Sequence, residues 1–473
     1  MSTRERGEAT RVLIISHDVV DAKMAGPGIR YWEFAQALSR EFQVTLAVPG
    51  QTTLAGEGFI IQPFTLGQAE SLAPLIAAAD VVVTFGYLLH DHPELGEIQV
   101  PLVIDAYIPY PFEALAQNAG HPLPDQVAAV DAALEDVLVQ FRAGDFFLCA
   151  SERQRDLWLG LLLALGRVNP HTYADDPTLR RLIDVVPFGL PADPPRHTKV
   201  VLRGLVEGIS PNDRIILWGG GIWQWLDPLT LIRAMAQIIR ECPEVKLVFP
   251  GTRHPFHERV LDMPMRHRAI KLAETLGLLN RWVFFGDWVP YADWPNYLLE
   301  ADIGVSLHFN TIEAQFASRT RILDYIWAGL PIVATKGDAM SEVIKGYNLG
   351  ELVDPENVEQ LTRTLLNLLN KPHLREAYRA NFEKACRQFS WDKVIKPLAA
   401  FCRNPRQAPD KVALGGWSID NRIRELERAL RAKENEIAAL QDLVERFRRG
   451  RFIRTMAKIA EIQAKVLRVR GQR

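Results

Sequence analysis

The sequence has few cysteines, no long hydrophobic run and no marked excess of one charge. Its four cysteines are widely spaced and form no CxxC pair, which excludes metal-finger and disulfide-framework proteins and is typical of a reducing cytoplasm. The longest apolar stretch, residues 157–166, is too short to span a bilayer. The polar and charged first residues are not typical of a signal peptide. We therefore expect a cytoplasmic protein.

The near-neutral net charge of −2 combines two regions of opposite charge. Residues 446–473 hold ten of the 55 basic residues and one of the 57 acidic residues, so this tail carries +9 and the rest of the chain −11. Such an asymmetry predicts an anionic partner at the tail. No base-reading module accompanies the charge, so we expect no nucleic-acid partner.

Short apolar runs alternate with helical patterns along most of the chain. Continuous Val, Ile and Leu runs, as opposed to alternating ones, indicate strands buried on both faces of a parallel sheet. The runs occupy residues 12–15, 44–48, 81–84, 102–104, 146–149, 215–218, 245–249, 283–285, 303–307 and 332–334. The predicted fold class is α/β, with two tandem doubly wound domains and a ligand between them at the carboxyl ends of the strands.

Composition also predicts where these regions begin and end. The segments, in chain order, are a first domain (1–190), a second domain (191–387), a helix that returns to the first domain (388–402), a linker rich in Pro and Gly (403–417), a coiled coil (418–449) and a basic amphipathic helix (450–473).

The last two segments are distinguished by their apolar spacing. Between residues 419 and 447 apolar side chains follow a heptad repeat that only Lys433 interrupts, which predicts a coiled coil and a homo-oligomer. A single helix packed on the body is the alternative. Beyond Gly450 one apolar face lies between arginines, as in helices that bind anionic membrane surfaces. A helix folded onto the body or onto a partner coil is the alternative here.

The most specific motif lies in the second half of the chain. Residues 318–334 (SRTRILDYIWAGLPIVA) are typical of a loop, a helix that ends at Gly329, and a strand. A carboxylate in such a helix can accept both hydroxyls of a ribose, and arginines beside its N-terminus can contact a diphosphate.

This segment resembles the donor-site helix of the family 4 glycosyltransferases, which have the two-domain GT-B fold. In that family a Glu is followed after seven residues by a second Glu, which binds the ribose. Asp324 stands at the second position, whereas Phe316 stands at the first, where Glu313 is the nearest acid. The family lysine after the glycine loop is also absent, so the resemblance implies that Arg321, Arg319 or Arg253 contacts the diphosphate.

Other loops agree with the resemblance. It implies that glycine-rich loops approach the phosphates and that the loop at residues 286–290 reads the base. The expected donor-binding residues are Gly26, Gly28, Arg30, Gly219, Gly220, Gly221, Arg253, Trp288, Val289, Ser318, Arg319, Thr320, Arg321, Asp324 and Asp338. Asp105, Arg321 and Glu313 are the expected catalytic residues. His90, His92 and Tyr107, which follow strands, are expected on the acceptor side.

The resemblance implies transfer of a sugar from a UDP- or GDP-sugar to a glycan or lipid-linked acceptor hydroxyl, with retention, in cell-surface glycan or glycolipid synthesis. It also implies that no metal is held by the protein, and the sequence contains no Asp-x-Asp motif. Two alternatives stay open: a non-catalytic coiled-coil scaffold with a degenerate donor site, and a sugar-nucleotide epimerase on the same fold. The tail would place the protein at the inner face of the plasma membrane.

Overall fold

The computed structural model describes residues 9–254, 263–371, 373–414, 419–449 and 451–470. Side chains at residues 375, 414, 419–427, 447–449, 451–454, 466 and 469–470 lie outside this description. The chain divides into two compact units, with the division after Val412. The first unit contains two parallel sheets and the second is helical.

The first sheet has seven parallel strands within the described residues, in the order β3-β2-β1-β4-β5-β6-β7. Val12 of the central strand lies opposite Val44 on one side and Val81 on the other. The strands are β1 (Arg11–Ile15), β2 (Gln43–Pro49), β3 (Ile60–Phe64), β4 (Val81–Phe85), β5 (Leu102–Asp105), β6 (Phe146–Cys149) and β7 (Ile183–Val185).

Helices cover both faces of this sheet, because its apolar strands are buried on both sides. They are α1 (Gly26–Leu38), α2 (Ala69–Ala77), α3 (Leu88–Asp91), α4 (Tyr110–Asn118), α5 (Leu123–Ala143), α6 (Glu152–Ala164) and α7 (Pro170–Asp175). α6 begins directly beyond the carboxyl end of β6, and α1 follows β1 after a loop of ten residues. Both helices therefore begin on the side of the sheet where a doubly wound fold binds ligands.

The second sheet has six parallel strands within the described residues, in the order β10-β9-β8-β11-β12-β13. The strand order reverses between β8 and β11, which creates a crevice at their carboxyl ends. The strands are β8 (Arg214–Leu217), β9 (Val245–Phe249), β10 (Val283–Phe285), β11 (Ile303–Ser306), β12 (Ile332–Thr335) and β13 (Gly350–Val353).

Several helices of this domain begin at a side-chain cap that the sequence encodes. The Asp227 carboxylate accepts a hydrogen bond from the Thr230 amide, and that of Asp338 accepts one from the Ser341 amide. The helices are α8 (Pro228–Ile238), α9 (Pro264–Thr275), α10 (Trp294–Glu300), α11 (Ile312–Phe316), α12 (Thr320–Ala328), α13 (Ala339–Tyr347), α14 (Val358–Asn370) and α15 (His373–Phe389). These two sheets confirm the predicted fold class.

The chain then returns to the first domain. Leu190 pairs with Ser390, and the Trp391 ring packs against Phe188 and Phe34. The predicted single helix over residues 388–402 is divided in the structure, because Pro397 stands at the start of a new helix. The segment forms α16 (Trp391–Val394) and α17 (Lys396–Arg403).

The segment after α17, predicted as a linker, is anchored to the first domain. It contains α18 (Pro409–Leu414). Arg167 donates to the buried Asp410 carboxylate at 2.5 Å, and Arg406 pairs with Asp175 at 2.6 Å. Composition identified the Pro and Gly content, but these ion pairs join residues more than two hundred positions apart and leave no local pattern.

The second unit contains two helices, α19 (Ile419–Arg449) and α20 (Arg451–Arg470). Apolar side chains of both are about half exposed within this unit, including Ile437, Leu440, Val444 and Ile459. The predicted helices are therefore present, whereas their pairing with a second copy stays a prediction. No described helix is long and apolar enough to cross a membrane.

Candidate active site

The second-domain side of the cleft is built around a glycine loop that follows β8. The amide of Gly219 donates to the Tyr325 hydroxyl at 2.7 Å, which holds the loop against α12. A Cβ atom at Gly219 or Gly221 would lie only 3.2 Å from neighbouring side chains, and Gly220 has φ +79°. The predicted phosphate loop therefore lies beside the helix that carries the predicted ribose residue.

Arg321, in the first turn of α12, is buried against this loop and forms no ion pair within the described residues. Its Nη2 donates to the Gly221 carbonyl at 3.0 Å, and its guanidinium lies 4.8 Å from the centre of the Trp218 ring. Its Nη1 is buried without a hydrogen-bond partner. Burial and the charge of Arg319 together lower the pKa of Arg321 to about 10, against the opposing effects of Tyr325 and Asp324. A buried cation without a counter-ion is costly unless a ligand supplies the negative charge.

Asp324 lies one turn further along α12. One of its carboxylate oxygens, Oδ2, accepts a hydrogen bond from the Trp294 indole at 3.0 Å. Burial raises the pKa of Asp324 to about 7, against the opposing effects of that hydrogen bond and of Arg321. The structure thus brings together Asp324, Arg321 and the glycine loop, which is the arrangement that ribose and diphosphate binding requires.

Ser318 and Thr320 flank the start of α12. The Ser318 carbonyl accepts a hydrogen bond from the Tyr107 hydroxyl of the first domain at 3.4 Å. Thr320 is the first residue of the helix, and no described side chain caps the amides there. Free amides at a helix N-terminus attract anions. Tyr107, predicted on the acceptor side, is therefore placed at the contact between the two domains.

Arg319 is bound to an acid that lies six residues earlier. Both Glu313 oxygens accept hydrogen bonds from the Arg319 guanidinium, at 2.9 and 2.7 Å, and both side chains are buried. Only the Arg319 Nε is left without a partner. Glu313 therefore fixes an arginine. The catalytic prediction requires a carboxylate that is free to contact a sugar, whereas that of Glu313 is held by Arg319.

A second acid, which sequence reasoning missed, faces this pair from the first domain. Burial and the charge of Glu313 raise the pKa of Glu113, on α4, to about 8, against the opposing charge of Arg319. The Glu113 carboxyl is therefore protonated at neutral pH and able to donate a hydrogen bond. Its role depends on a residue two hundred positions away, so no local pattern could have revealed it.

Asp338 lies on the same side of the cleft, at the start of α13. Burial raises the pKa of Asp338 to about 6, although the charge of Arg319 opposes this. One oxygen caps α13, and the other, Oδ2, lies 3.8 Å from the His308 Nε2. One carboxylate oxygen of Asp338 is thus used by the helix that it caps, and the other faces His308.

The first-domain glycine loop is fixed by packing. A Cβ atom on Gly28 would lie 2.2 Å from the Val19 carbonyl oxygen, which only glycine avoids. Gly26 begins α1 and has open space beside it, with nothing within 4 Å. Glycine is therefore required at position 28 by the close approach of the Val19 backbone. At position 26 a side chain would meet no neighbouring atom.

Arg30 and Asp105 form a buried ion pair. Arg30 donates to the two Asp105 oxygens at 2.6 and 3.0 Å, and also to the carbonyls of Val186 and Pro187. The two side chains are 2% and 1% exposed. Every guanidinium nitrogen of Arg30 has a protein partner, and the Asp105 carboxylate is shielded. The pair thus serves the fold in this structure, while a donor-binding Arg30 and a catalytic Asp105 stay predictions. The pair joins α1, β5 and the domain junction.

The two predicted histidines, His90 and His92, form their contacts within the first domain. His92 is fully buried, with Nε2 accepting from the Gly67 amide at 3.0 Å and Nδ1 lying 2.8 Å from Glu94. Both ring nitrogens thus have partners within the domain, and the acceptor role of His92 stays a prediction. His90 is largely exposed and pairs with Asp136 of α5, so its role stays a prediction.

The loops after β9 and β10 meet the first domain. The Trp288 indole donates to the Met24 carbonyl at 3.0 Å, and its ring lies 5.5 Å from that of His254. Val289 packs against the core of the unit, and Arg253 is exposed. Trp288 is therefore at the cleft, close to the first-domain glycine loop, while base reading by this loop and phosphate binding by Arg253 stay predictions.

His17, which sequence reasoning also missed, follows β1 directly. Its ring stacks on Phe85 at 4.3 Å, and its Nδ1 is buried without a described partner. Burial lowers the pKa of His17 to about 3, so the ring is neutral. Its position after a strand of the first sheet was the available signal. Among the described residues, no group of three or more His, Cys, Asp or Glu is placed to hold a metal ion.

Comparisons with known proteins agree with this geometry. Residues 206–385 match the model of the family described as glycosyl transferases group 1. The matched residues are fewer than half of the chain, and over this segment the chain is similar to the group 1 glycosyltransferases. The match contains the glycine loop and α12, so the unpaired Arg321 and the half-buried Asp324 lie in the part of the chain that the family defines.

Individual relatives are similar to this chain over segments of different length. Sucrose-phosphate synthase 4 of Arabidopsis thaliana is 37% identical over 79 residues, which are 16% of this chain and 8% of that protein. Across the curated relatives described, the matched segments span between 8% and 47% of the relative's length.

Two solved structures share the fold over most of the chain. Sucrose-phosphate synthase from Thermosynechococcus elongatus superposes with a TM-score of 0.59 at 14% identity, covering 83% of this chain and 98% of that one. Anabaena HepE in complex with UDP and glucose gives 0.56 at 15% identity, covering 83% and 99%. At these identities the likeness establishes the two-domain GT-B fold.

Proposed function

We propose that the protein transfers a sugar from a nucleoside diphosphate sugar to an acceptor hydroxyl. The observation that carries this proposal is Arg321, a buried cation with a free Nη1 and no described ion pair, beside a glycine loop and the uncapped N-terminus of α12. A diphosphate matches this arrangement in charge and in hydrogen-bonding capacity. The similarity of the domain to group 1 glycosyltransferases supports the same conclusion.

The proposed chemistry follows from these groups. As the bond between sugar and diphosphate breaks, negative charge develops on the leaving phosphate. Arg321, the glycine-loop amides and the first amides of α12 are positioned to stabilise that charge in a water-poor cleft. Asp324 holds the ribose and does not attack the sugar. We propose retention of configuration and no metal held by the protein, in keeping with the family resemblance.

The donor is proposed to be a UDP- or GDP-sugar. A solved neighbour of the same fold contains UDP and glucose, which supports a UDP-sugar as the first candidate. The acceptor is proposed to be a glycan or a lipid-linked glycan of the cell surface. The protein would work in the cytoplasm.

The second unit is proposed to assemble and locate the enzyme. α19 exposes apolar side chains at heptad positions, which a second copy would cover. α20 carries its apolar side chains among basic residues, which suits an anionic membrane surface. Flotation with anionic vesicles should fall when the chain is truncated after Val444. Equal flotation of the truncated and full-length proteins would contradict the membrane proposal.

Calorimetric titration tests the donor site directly. UDP, GDP and UDP-glucose are titrated into the wild type and into Asp324→Ala, with Asp131→Ala as a matched surface control. We expect one nucleotide to bind the wild type and the control equally, and Asp324→Ala at least tenfold more weakly. If no nucleotide or UDP-glucose binds the wild type, the transferase proposal fails and the scaffold alternative replaces it. Formation of an epimerised nucleotide sugar without acceptor would instead favour the epimerase.

A further inference from the structure

One face of α19 carries exposed apolar side chains at a spacing that suits a second helix. The four members of this apolar stripe are between 51 and 60% exposed: Leu430, Ile437, Leu440 and Val444. They follow one another at intervals of seven, three and four residues, which places them in one line along the helix. Within the described part of the chain this stripe is open to solvent, so it lacks the apolar partner that such a helix requires.

The residue types along the stripe match those of two-stranded coiled coils. In the heptad abcdefg, three of the four a positions between residues 423 and 444 are β-branched, and two of the three d positions are leucine. The a positions hold Ile423, Leu430, Ile437 and Val444, and the d positions hold Leu426, Lys433 and Leu440. β-Branched residues at a with leucine at d favour two strands in a parallel coil. The fitting partner is therefore a second copy of this helix.

Lys433 interrupts the stripe at a d position. Its Nζ donates to the Glu436 Oε2 of the same helix at 2.6 Å, so its charge is balanced within one copy. Glu434 and Glu436 occupy the e and g positions beside it. A lysine stem can lie along an apolar seam while its ammonium group reaches polar groups at the edge. Two such lysines thus fit one layer of a pair, and a single polar layer sets the register at a cost in stability.

The orientation of the pair follows from the number of layers that the lysines interrupt. In a parallel pair in register, each residue lies opposite its own copy, so both lysines share one layer. In an antiparallel pair an a position lies opposite a d position, and Lys433 would face Leu430 or Ile437 of the other copy. The lysines would then interrupt two layers, and the cost of placing a charge against an apolar residue would arise twice. Glu434 and Glu436 would also meet e and g positions that hold no basic residue between residues 428 and 446.

We propose that α19 pairs with α19 of a second copy as a parallel, in-register, two-stranded coiled coil, with Lys433 as the residue that sets the register. The inference deepens the proposed assembly role of the second unit and rests on it. Because α20 follows α19 along the chain, a parallel pair brings the two copies of α20 to the same end of the coil. Their basic side chains then contact one anionic surface together, which raises affinity without any new contact.

Disulfide cross-linking of the full-length protein tests orientation and register. Leu440→Cys places a thiol at a d position, and we expect a disulfide-linked dimer in a glutathione redox buffer. In an antiparallel pair the two thiols would lie roughly 15–25 Å apart, too far for a bond. Asn435→Cys, at the outward f position of the same helix, is the matched control and should run as a monomer on a denaturing gel, as should the wild type. A dimeric protein in which Leu440→Cys does not cross-link would overturn the parallel arrangement.

Sedimentation equilibrium of the full-length protein measures the number of copies and the effect of the lysine. We expect twice the mass of one chain for the wild type and a monomer for Ile437→Asp. Lys433→Leu should dimerise at least tenfold more tightly and also form larger species, because the polar layer lowers stability while it restricts the assembly. A monomeric or trimeric wild type would overturn the proposal, and an unchanged Lys433→Leu variant would show that the lysine does not set the register.

UDP calorimetry and vesicle flotation separate this inference from the proposed function. A monomeric wild type that binds UDP would contradict the coil alone, whereas a dimer that binds no nucleotide would contradict the transferase proposal alone. With vesicles of phosphatidylcholine and phosphatidylglycerol, the wild type should float at least fivefold more than Ile437→Asp. Equal flotation of the two would overturn joint binding by two α20 helices, and flotation of neither would contradict the membrane proposal.

Discussion

The two sides of the cleft each contain a buried arginine. The protein neutralises the charge of one of them with a carboxylate and leaves the other without an ion pair among the described residues. Arg30 in the first domain is neutralised by Asp105, and each of its guanidinium nitrogens donates to a partner within the protein. Arg321 in the second domain has a carbonyl, an aromatic face and a free nitrogen, but no described ion pair. Burial alone therefore does not identify a ligand-binding arginine. What distinguishes the two is whether the protein itself supplies the negative charge.

The strongest test of this contrast removes Arg30. Arg30→Met leaves the Asp105 carboxylate buried without a partner, so we expect the free energy of unfolding to fall by roughly 3–5 kcal/mol. Urea denaturation of the full-length protein measures it. The double variant Arg30→Met with Asp105→Leu removes both charges and should recover most of the loss. A single variant as stable as the wild type would show that the pair does not support the first domain.

The glycines of the first-domain loop test whether this side is fixed by packing. Gly28→Ala would place a Cβ atom 2.2 Å from the Val19 carbonyl oxygen, and we expect a loss of about 1–3 kcal/mol in unfolding free energy. Gly26→Ala, which has open space, is the control and should lose at most about 1 kcal/mol. Equal thermal denaturation of the two variants would contradict the packing explanation.

Removing Arg321 should have the reverse effect of removing Arg30. Arg321→Met deletes a buried cation without a counter-ion, so stability should stay the same or rise. Affinity for a nucleoside diphosphate should fall about 10- to 150-fold, because hydrogen bonds to charged groups are worth roughly 1.5–3 kcal/mol. Calorimetry and urea denaturation measure the two quantities. A large loss of stability with unchanged nucleotide affinity would make Arg321 a structural residue like Arg30.

The last test is the pH dependence of Asp324, whose effect is spread over about three pH units. Because its pKa is raised from 3.8 to about 7, the folded protein binds more protons than the unfolded chain between these values. Its stabilising contribution is thus present below pH 4 and is lost as the pH rises through 7, by at most about 1.4 kcal/mol per pH unit. Nucleotide affinity should change in the opposite direction, since the ribose hydroxyls need the ionised carboxylate.

Asp324→Asn provides the comparison for this effect. Urea denaturation between pH 4 and 8 should show a less steep decline for Asp324→Asn than for the wild type. Identical pH profiles would indicate that the Asp324 carboxyl titrates in its ordinary range. Asp131→Asn, exposed on α5, should reproduce the wild-type profile.

The internal strands were predictable, whereas most edge strands were not. Runs such as 81–84 and 146–149 are apolar because helices cover both faces of the sheet. The edge strands β3, β7 and β13 have one free side and mixed burial, and the sequence pattern did not reveal them. Hydrophobic runs in the sequence therefore predict strands that are buried on both faces, and they do not predict strands that are partly exposed.

The residues of the candidate site also fall into a group that was predictable from the sequence and a group that was not. Arg321 and Asp324 lie within four residues of each other on one helix, so a local motif was enough to predict that they act together. The Arg30–Asp105 pair joins residues 75 positions apart, and Glu113 depends on Glu313, which lies in the other domain. Partners that meet only through the fold leave no spacing in the sequence, and these were the contacts that sequence reasoning did not predict.

The anchored segment after α17 has a consequence for the order in which the protein is made. Arg167 in the first domain finds its carboxylate partner, Asp410, 243 residues later. At a synthesis rate of about 5–20 residues per second, this interval is roughly 12–50 s on the ribosome. During that time the first domain lacks both this ion pair and the packing of Trp391. The domain that is translated first is therefore the last to be completed, after the whole second domain has emerged.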